Sequence, residues 1–252
     1  MRPFGVALAL LVIGCNFTPL MNRIAPGEEP FVVIVGEGAG SQVDLFAVGS
    51  GGGAVTQLTF TVPVERGPRL TTDGTAMAFL RMADTLPGTA REVVVMNLLS
   101  GSERRLGLPA EDGQPESLAW GDDQATLYVR TALGVWALAA PPAPPAARRV
   151  AAEDPVADSA LTTWLGTPRF ARAIQCGPAV CAVTARNDTV QLTPTGRDPF
   201  RWGTDSVAWF EGEELMIRPL GPGLSRRMSW TRPPLHPRDG SYARGVGKGS
   251  AP

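Results

Sequence analysis

One arrangement of apolar and polar positions returns five times along this chain. A bulky apolar residue stands just before a polar turn rich in Gly, Asp and Thr, and a short apolar segment ending in a polar residue follows. The copies are Pro68–Arg81 (PRLTTDGTAMAFLR), Leu118–Arg130 (LAWGDDQATLYVR), Thr163–Arg172 (TWLGTPRFAR), Phe200–Phe210 (FRWGTDSVAWF) and Pro234–Ala243 (PLHPRDGSYA). Their leading apolar residues, Leu70, Trp120, Trp164, Trp202 and Leu235, fall 50, 44, 38 and 33 residues apart by subtraction. Apolar runs this short between turn residues predict strands. A repeat of roughly 40–45 residues built from short strands is the signature of a β-propeller blade. The expected fold is all-β, a β-propeller of about five four-stranded blades, with the five leading residues at one equivalent core position.

Each leading residue is expected to end an inner strand, with the apolar strand after the turn second. Third strands follow at Val43–Val48, Glu92–Asn97, Gly134–Leu138, Val180–Thr184 and Glu214–Arg218. Gly- or Pro-rich hairpins then lead to more polar fourth strands, such as Ala54–Thr59, Ser102–Leu106 and Leu224–Met228. Hairpin turns favour Gly because their backbone needs positive φ. Phe31–Val35 reads as a second strand with no inner strand before it. Leu235 onward reads as an inner and a second strand with nothing after. Pairing of these two ends would close a ring. A sixth, degenerate blade would have to occupy residues 139–160, which read instead as a Pro-rich loop plus one short edge strand.

The stretch Gln57-Leu-Thr59, a gap, then PRLTTDGTAMAF resembles the blade repeat of TolB-like propellers, a WD-type pattern of Leu-Thr, Trp, Ser-Pro-Asp-Gly and an apolar strand. The likeness is strongest over 57–81, recognisable at 115–130 and 233–243, and eroded at 160–174 and 199–210. Gly121-Asp122-Asp123 and Gly203-Thr204-Asp205 replace the Ser-Pro-Asp-Gly turn. What the resemblance implies is the fold.

The N-terminus reads as a targeting segment. Arg2 precedes an apolar run, Phe4–Ile13, well below the roughly 18 residues of a membrane span. It ends in Val12-Ile13-Gly14-Cys15, which resembles a bacterial lipobox. On that reading residues 1–14 are a lipoprotein signal peptide, Cys15 is lipidated, 15–29 form a Pro- and Gly-punctuated tether, 30–247 form the propeller and 248–252 a tail. Asn16 replaces the Asp that resembles an inner-membrane retention signal. The expected location is therefore the outer membrane facing the periplasm, if the source is Gram-negative.

An exported chain meets an oxidising compartment, where nearby cysteines bridge. Cys176 and Cys181 flank Gly177-Pro178-Ala179-Val180, and the Gly-Pro turn predicts a disulfide across a hairpin. With one histidine, His236, and no second cysteine pair, no metal site is expected. A formal charge of −1 offers no general pull toward nucleic acid.

Catalytic signatures are weak. Gly36-Glu-Gly38-Ala-Gly40 follows an apolar strand, but Ser41 breaks the dinucleotide fingerprint and no helix fits before Val43. The acidic pairs Glu28-Glu29, Glu111-Asp112, Asp122-Asp123, Glu153-Asp154 and Glu213-Glu214 sit beside turns, where carboxylates serve turn geometry and solvation. His236 reads as a turn residue. Arg104-Arg105, Arg148-Arg149 and Arg226-Arg227 fall on expected fourth strands, either as a basic stripe or as charge that blocks edge pairing. The leading reading is a lipid-anchored, non-enzymatic module without a cofactor, which binds or scaffolds an envelope protein. The alternatives are a carbohydrate or small-ligand binder using the channel and exposed Trp, and a degenerate hydrolase.

Overall fold

Several middle strands of this protein are apolar on both faces, and the structure explains why: they are buried from both sides. The computed structural model describes residues 31–37, 42–49, 55–82, 90–151, 158, 160–161, 172–184, 186–202, 206–212, 214–220, 225–229 and 235–243. Cys15 with the expected signal and tether, Trp164 and the tail 248–252 lie outside the described residues. The chain is nearly all β. Helix among the described residues amounts to a 3-10 turn at Ala110–Asp112 and two residues at 160–161.

The strands form five antiparallel sheets. Sheet A begins with β1 (Phe31–Glu37), β2 (Val43–Gly49) and β3 (Thr56–Gln57). Sheet B is β4 (Val64–Leu70), β5 (Ala76–Met82), β6 (Arg91–Asn97) and β7 (Glu103–Leu106). Sheet C is β8 (Pro115–Trp120), β9 (Thr126–Thr131), β10 (Gly134–Ala139) and β11 (Ala147–Val150). The described strands of sheet D are β12 (Arg172–Cys176), β13 (Ala179–Val183) and β14 (Thr189–Thr193). Sheet E is β15 (Arg197–Trp202), β16 (Ser206–Glu211), β17 (Glu214–Pro219) and β18 (Arg226–Ser229). The last strand, β19 (Leu235–Ala243), returns to sheet A, so its order is β19-β1-β2-β3.

Leu235 corrects the sequence expectation. It opens β19 instead of ending an inner strand, and it pairs with Glu37. β1 offers seven residues to a partner. β19 matches them from Ala243 opposite Phe31 to Asp239 opposite Val35, so Asp239-Gly240 enter the ladder where a turn was expected. Leu70, Trp120 and Trp202, by contrast, end β4, β8 and β15.

The period-2 alternation of strands sorts side chains between two cores. In β1, Val33 and Val35 join Met77, Phe79 and Val94 of sheet B, while Val32 and Ile34 join Phe200, Trp202, Ala208 and Phe210 of sheet E. In β5, Ala78 and Leu80 turn the other way, toward Leu118, Leu127 and Val129 of sheet C. Val207 and Trp209 of β16 pack on Val180 and Ala182 of sheet D. Tyr128 and Val135 of sheet C cluster with Leu161. At the end of β8, the Trp120 indole N–H donates to the Arg69 carbonyl of sheet B at 2.8 Å.

The turns after β4 and β8 solve one backbone problem in two ways. Gly74 takes φ +71° in the first, and Gln124 takes φ +56° in the second. The Gln124 side chain offsets that cost by accepting from the Thr72 amide at 2.6 Å and donating to Gly121 O at 2.9 Å. Where the repeat lost its Gly, it thus gained a tie between sheets B and C.

Gly196, between β14 and β15, is the tightest glycine described. Its φ is +149°, and a Cβ there would lie 2.6 Å from Trp209 Cδ1 and 2.9 Å from Val180 Cγ2. Gly196→Ala is expected to cost about 2–4 kcal/mol, from overpacking plus a left-handed backbone. A denaturant midpoint unchanged from wild type would contradict this packing.

Candidate functional site

Strand direction divides the chain reversals into two rims. One carries the turns that follow β4 and β8, at 71–75 and 121–125. The other carries the β9–β10, β12–β13 and β16–β17 turns and the links from β3 to β4, β7 to β8 and β14 to β15; we call it the linker rim. Polar side chains buried between sheets concentrate toward the linker rim.

The largest such group joins sheets A and B. Glu65 and Arg81 are cross-strand partners on β4 and β5, and both are buried. Arg81 Nε and Nη2 donate to Glu65 Oε1 at 3.1 and 2.9 Å. Its Nη1 and Nη2 also reach Glu103 of β7 at 2.7 and 2.9 Å, with the guanidinium 5.2 Å from the Phe79 ring centroid. From sheet A, Asp44 accepts Gln57 Nε2 on Oδ2 at 3.0 Å and the Thr59 hydroxyl on Oδ1 at 3.4 Å. Thr59 Oγ1 in turn accepts the Leu45 amide at 2.9 Å, and the Thr61 hydroxyl donates to Glu65 Oε1 at 2.8 Å.

Desolvation dominates both acids. Burial raises Asp44 above its usual carboxylate value, against donors from Thr61, Thr59 and Gln57. Burial likewise raises Glu65, against Thr59, Thr61 and Arg81. For Arg81, burial works downward, and Glu103 and Glu65 overcome it, so the guanidinium stays charged. Asp73 and Asp123 behave oppositely. Slight burial opposes ionisation, but Thr71 and Thr75 hold Asp73 low, and Thr126 and the Ala125 amide hold Asp123 low. These are turn caps.

Beside the network lies an open cleft of about 300 Å³, lined among others by Arg91, Glu92, Arg105, Leu106, Gln114 and Pro115. A second, of about 200 Å³, shares Leu106 and Gly107 with it and continues toward Pro145–Ala147 of sheet C. The charges around the first are engaged. Arg105 pairs with Glu92 at 3.1 Å, the Arg91 amide donates to Gln114 Oε1 at 2.8 Å, and Arg91 Nη1 donates to Pro115 O at 3.1 Å. Three large apolar residues are exposed at the same rim: Phe60 and Val62 in the β3–β4 link and Leu133 in the β9–β10 turn.

Cys176 and Cys181 are joined, with Cα atoms 6.2 Å apart. Cys176 lies opposite Ala179 and Cys181 opposite Ile174, so parity puts both sulfurs on one face of the hairpin. Gln175 Nε2 ties that turn to Gly196 O at 2.9 Å. Leu70, Trp120 and Trp202 are core residues, each between two sheets. The arginine pairs lie on β7, β11 and β18, and local partners meet them: Glu92 for Arg105, Glu214 for Arg227 at 3.2 Å, Ala143 O for Arg104 at 3.0 Å. Such exposed pairs add about 0–1 kcal/mol each. Glu28-Glu29 and Glu153-Asp154 fall outside the described residues. Sequence reasoning missed Asp44, Glu65 and Arg81. The one available signal was a charged pair, Glu65 and Arg81, inside strands that should face neighbours. No group of three or more metal-ligating side chains occurs among the described residues.

No family model matches the sequence, and no curated protein does. Among solved structures, the chain is similar to TolB from Acinetobacter baumannii, at 12% identity and TM-score 0.36, covering 89% of this chain and 69% of that one. It is also similar to a chain of a nidogen/laminin complex, at 10% identity and TM-score 0.35, covering 85% and 98%. A third likeness is AztD from Citrobacter koseri, at 12% identity and TM-score 0.30, covering 89% and 62%.

Removing the central cation strands two carboxylates. Arg81→Met is expected to destabilise by about 3–5 kcal/mol, as for other broken buried ion pairs. The double substitution Cys176→Ser/Cys181→Ser should cost about 2 kcal/mol, because so short a loop constrains the unfolded chain only modestly. Chemical denaturation measures both. An Arg81→Met loss no larger than the cysteine loss would contradict the charge accounting.

Proposed function

We propose that the protein is an exported, lipid-anchored β-propeller that binds a partner protein of the cell envelope through its linker rim, and is not an enzyme. The five sheets are its blades. Cores link A to B, B to C, D to E and E to A, and β4 and β15 both lie against β19. That succession supports a five-bladed ring in which sheet A unites the first and last strands. Residues 30–247 form the ring and 248–252 a tail.

The observation that carries the reading is the direction of β1. Phe31 pairs with Ala243 at the end of sheet A remote from the linker rim. A tether of residues 15–29 ending in a lipidated Cys15 then leaves from the far side. The linker rim, with Phe60, Val62, Leu133 and the cleft, faces away from the anchoring membrane, the outer one in a Gram-negative cell. The disulfide suits that oxidising side.

Two measurements test this. Mass spectrometry of the mature protein should find acylated Cys15 as the first residue; an unmodified chain starting elsewhere removes the anchor. Photo-crosslinking groups at Phe60, Val62 and Leu133 should capture one envelope protein in intact cells, while groups at Thr72 and Asp122 on the opposite rim capture none. Equal capture from both rims would overturn the assignment.

A further inference from the structure

The outermost strand of a sheet presents unpaired N–H and C=O groups, a template on which another strand can add. Four of the five sheets blunt that edge. β7, β11 and β18 each carry an arginine pair, and β3 is only two residues long. β14 does neither. It reads Thr-Val-Gln-Leu-Thr, without a charge, and it ends sheet D among the described residues. Thr189, Val190 and Gln191 are all exposed, Val190 at 47%.

The ladder to β13 settles which backbone groups of β14 point outward. In the hairpin before β14, the Thr184 amide donates to Asp188 O at 2.8 Å, so Thr184 and Asp188 form a hydrogen-bonded pair. Antiparallel ladders alternate such pairs with non-hydrogen-bonded ones. The register continues with Val183 opposite Thr189, Ala182 opposite Val190 and Cys181 opposite Gln191. Val190 therefore turns its N–H and C=O inward, and Thr189 and Gln191 turn theirs outward. The open edge stops there. The ladder skips Leu192, whose carbonyl accepts from Arg218 Nη1 of β17.

We propose that β14 pairs with β14 of a second copy of this chain, antiparallel about a two-fold axis at Val190. Thr189 of each copy then lies opposite Gln191 of the other, each such pair exchanging both N–H···O bonds. The two Val190 side chains meet across the axis as a non-hydrogen-bonded pair, the closer kind, and cover the apolar surface that each exposes alone. Charge agrees with this register. Asp188 of one copy comes opposite Leu192 of the other, where Arg218 is held. Neither Asp188 nor Arg218 has an oppositely charged partner among the described residues, so each copy supplies what the other lacks. A two-fold contact uses up both edges and stops at two copies. So short a ladder makes a weak dimer, formed at high protein concentration. The inference does not depend on the linker rim or its partner.

Single cysteines test the register. Under mild oxidation of the purified full chain, Val190→Cys should give a disulfide-linked dimer, because non-hydrogen-bonded partners have Cα atoms about 4.5 Å apart, within disulfide reach. Gln191→Cys should stay at the wild-type background, because antiparallel pairing offsets the two copies of that residue beyond the roughly 7 Å a disulfide can span. Sedimentation equilibrium in density-matched detergent should show a reversible wild-type dimer. Val190→Lys sets like charges across the axis and should raise its dissociation constant at least about tenfold. The unfolding midpoint should not move, since that side chain is exposed. A wild-type chain monomeric up to its solubility limit, equal cross-linking of the two cysteine variants, or an unchanged constant in Val190→Lys would overturn the proposal. So would capture of a different protein by Val190→Cys in intact cells, since the edge would then serve a foreign strand. The cross-linking comparison decides the matter even if Val190→Lys does not fold.

Discussion

Two-sided burial is the constraint on which this structure rests. β1, β5 and β16 each divide their side chains between two neighbouring sheets. No such sheet is stable alone, since either face would expose a row of Val, Ile, Phe and Leu to water, at about 1.5–3 kcal/mol per large side chain. Stability is therefore a property of sheet contacts, and sheets A, B and E each need two neighbours. This also explains why the middle strands lack the polar alternation of a one-sided antiparallel sheet.

The charged groups in this interior are met by partners, although one oxygen of Glu65 has none. Arg81 is tolerated because Glu65 and Glu103 meet it, and Asp44 because Gln57 and Thr59 do. A well-packed apolar replacement of the whole set could be as stable, or more so. What the set does that apolar residues cannot is fix a short connecting segment by direction as well as by area. Phe60 and Val62 are held outward because their neighbours are anchored by hydrogen bonds, which tolerate little rotation.

Much of the architecture was legible in the residues. Leu70, Trp120 and Trp202 mark strand ends because a large side chain there fills the wedge between two sheets. The Gly177-Pro178 hairpin and its flanking cysteines were legible because turn chemistry and spacing are local. The arginine pairs fell on β7, β11 and β18 because outermost strands meet water. Leu235 was placed at the wrong end of its strand: Asp239-Gly240 has turn chemistry, and only the length of β1 shows that it is absorbed into a ladder. The Asp44–Glu65–Arg81 set was barely legible, for a different reason. Its members come from separate strands and a connecting link, and a lone Glu or Arg in a strand looks the same whether it meets water or a buried partner.

The pairing of β1 with β19 has a consequence for how the chain reaches its folded state. Joining Phe31 to Ala243 closes a loop of 212 residues (243 − 31). The entropy of that closure alone is about 5 kcal/mol. On a chain that emerges N-terminus first, from a ribosome or a translocation pore, β1 and β2 appear early, yet the edge of β1 stays unpaired until the last strand is out. One of the first strands made is thus among the last completed.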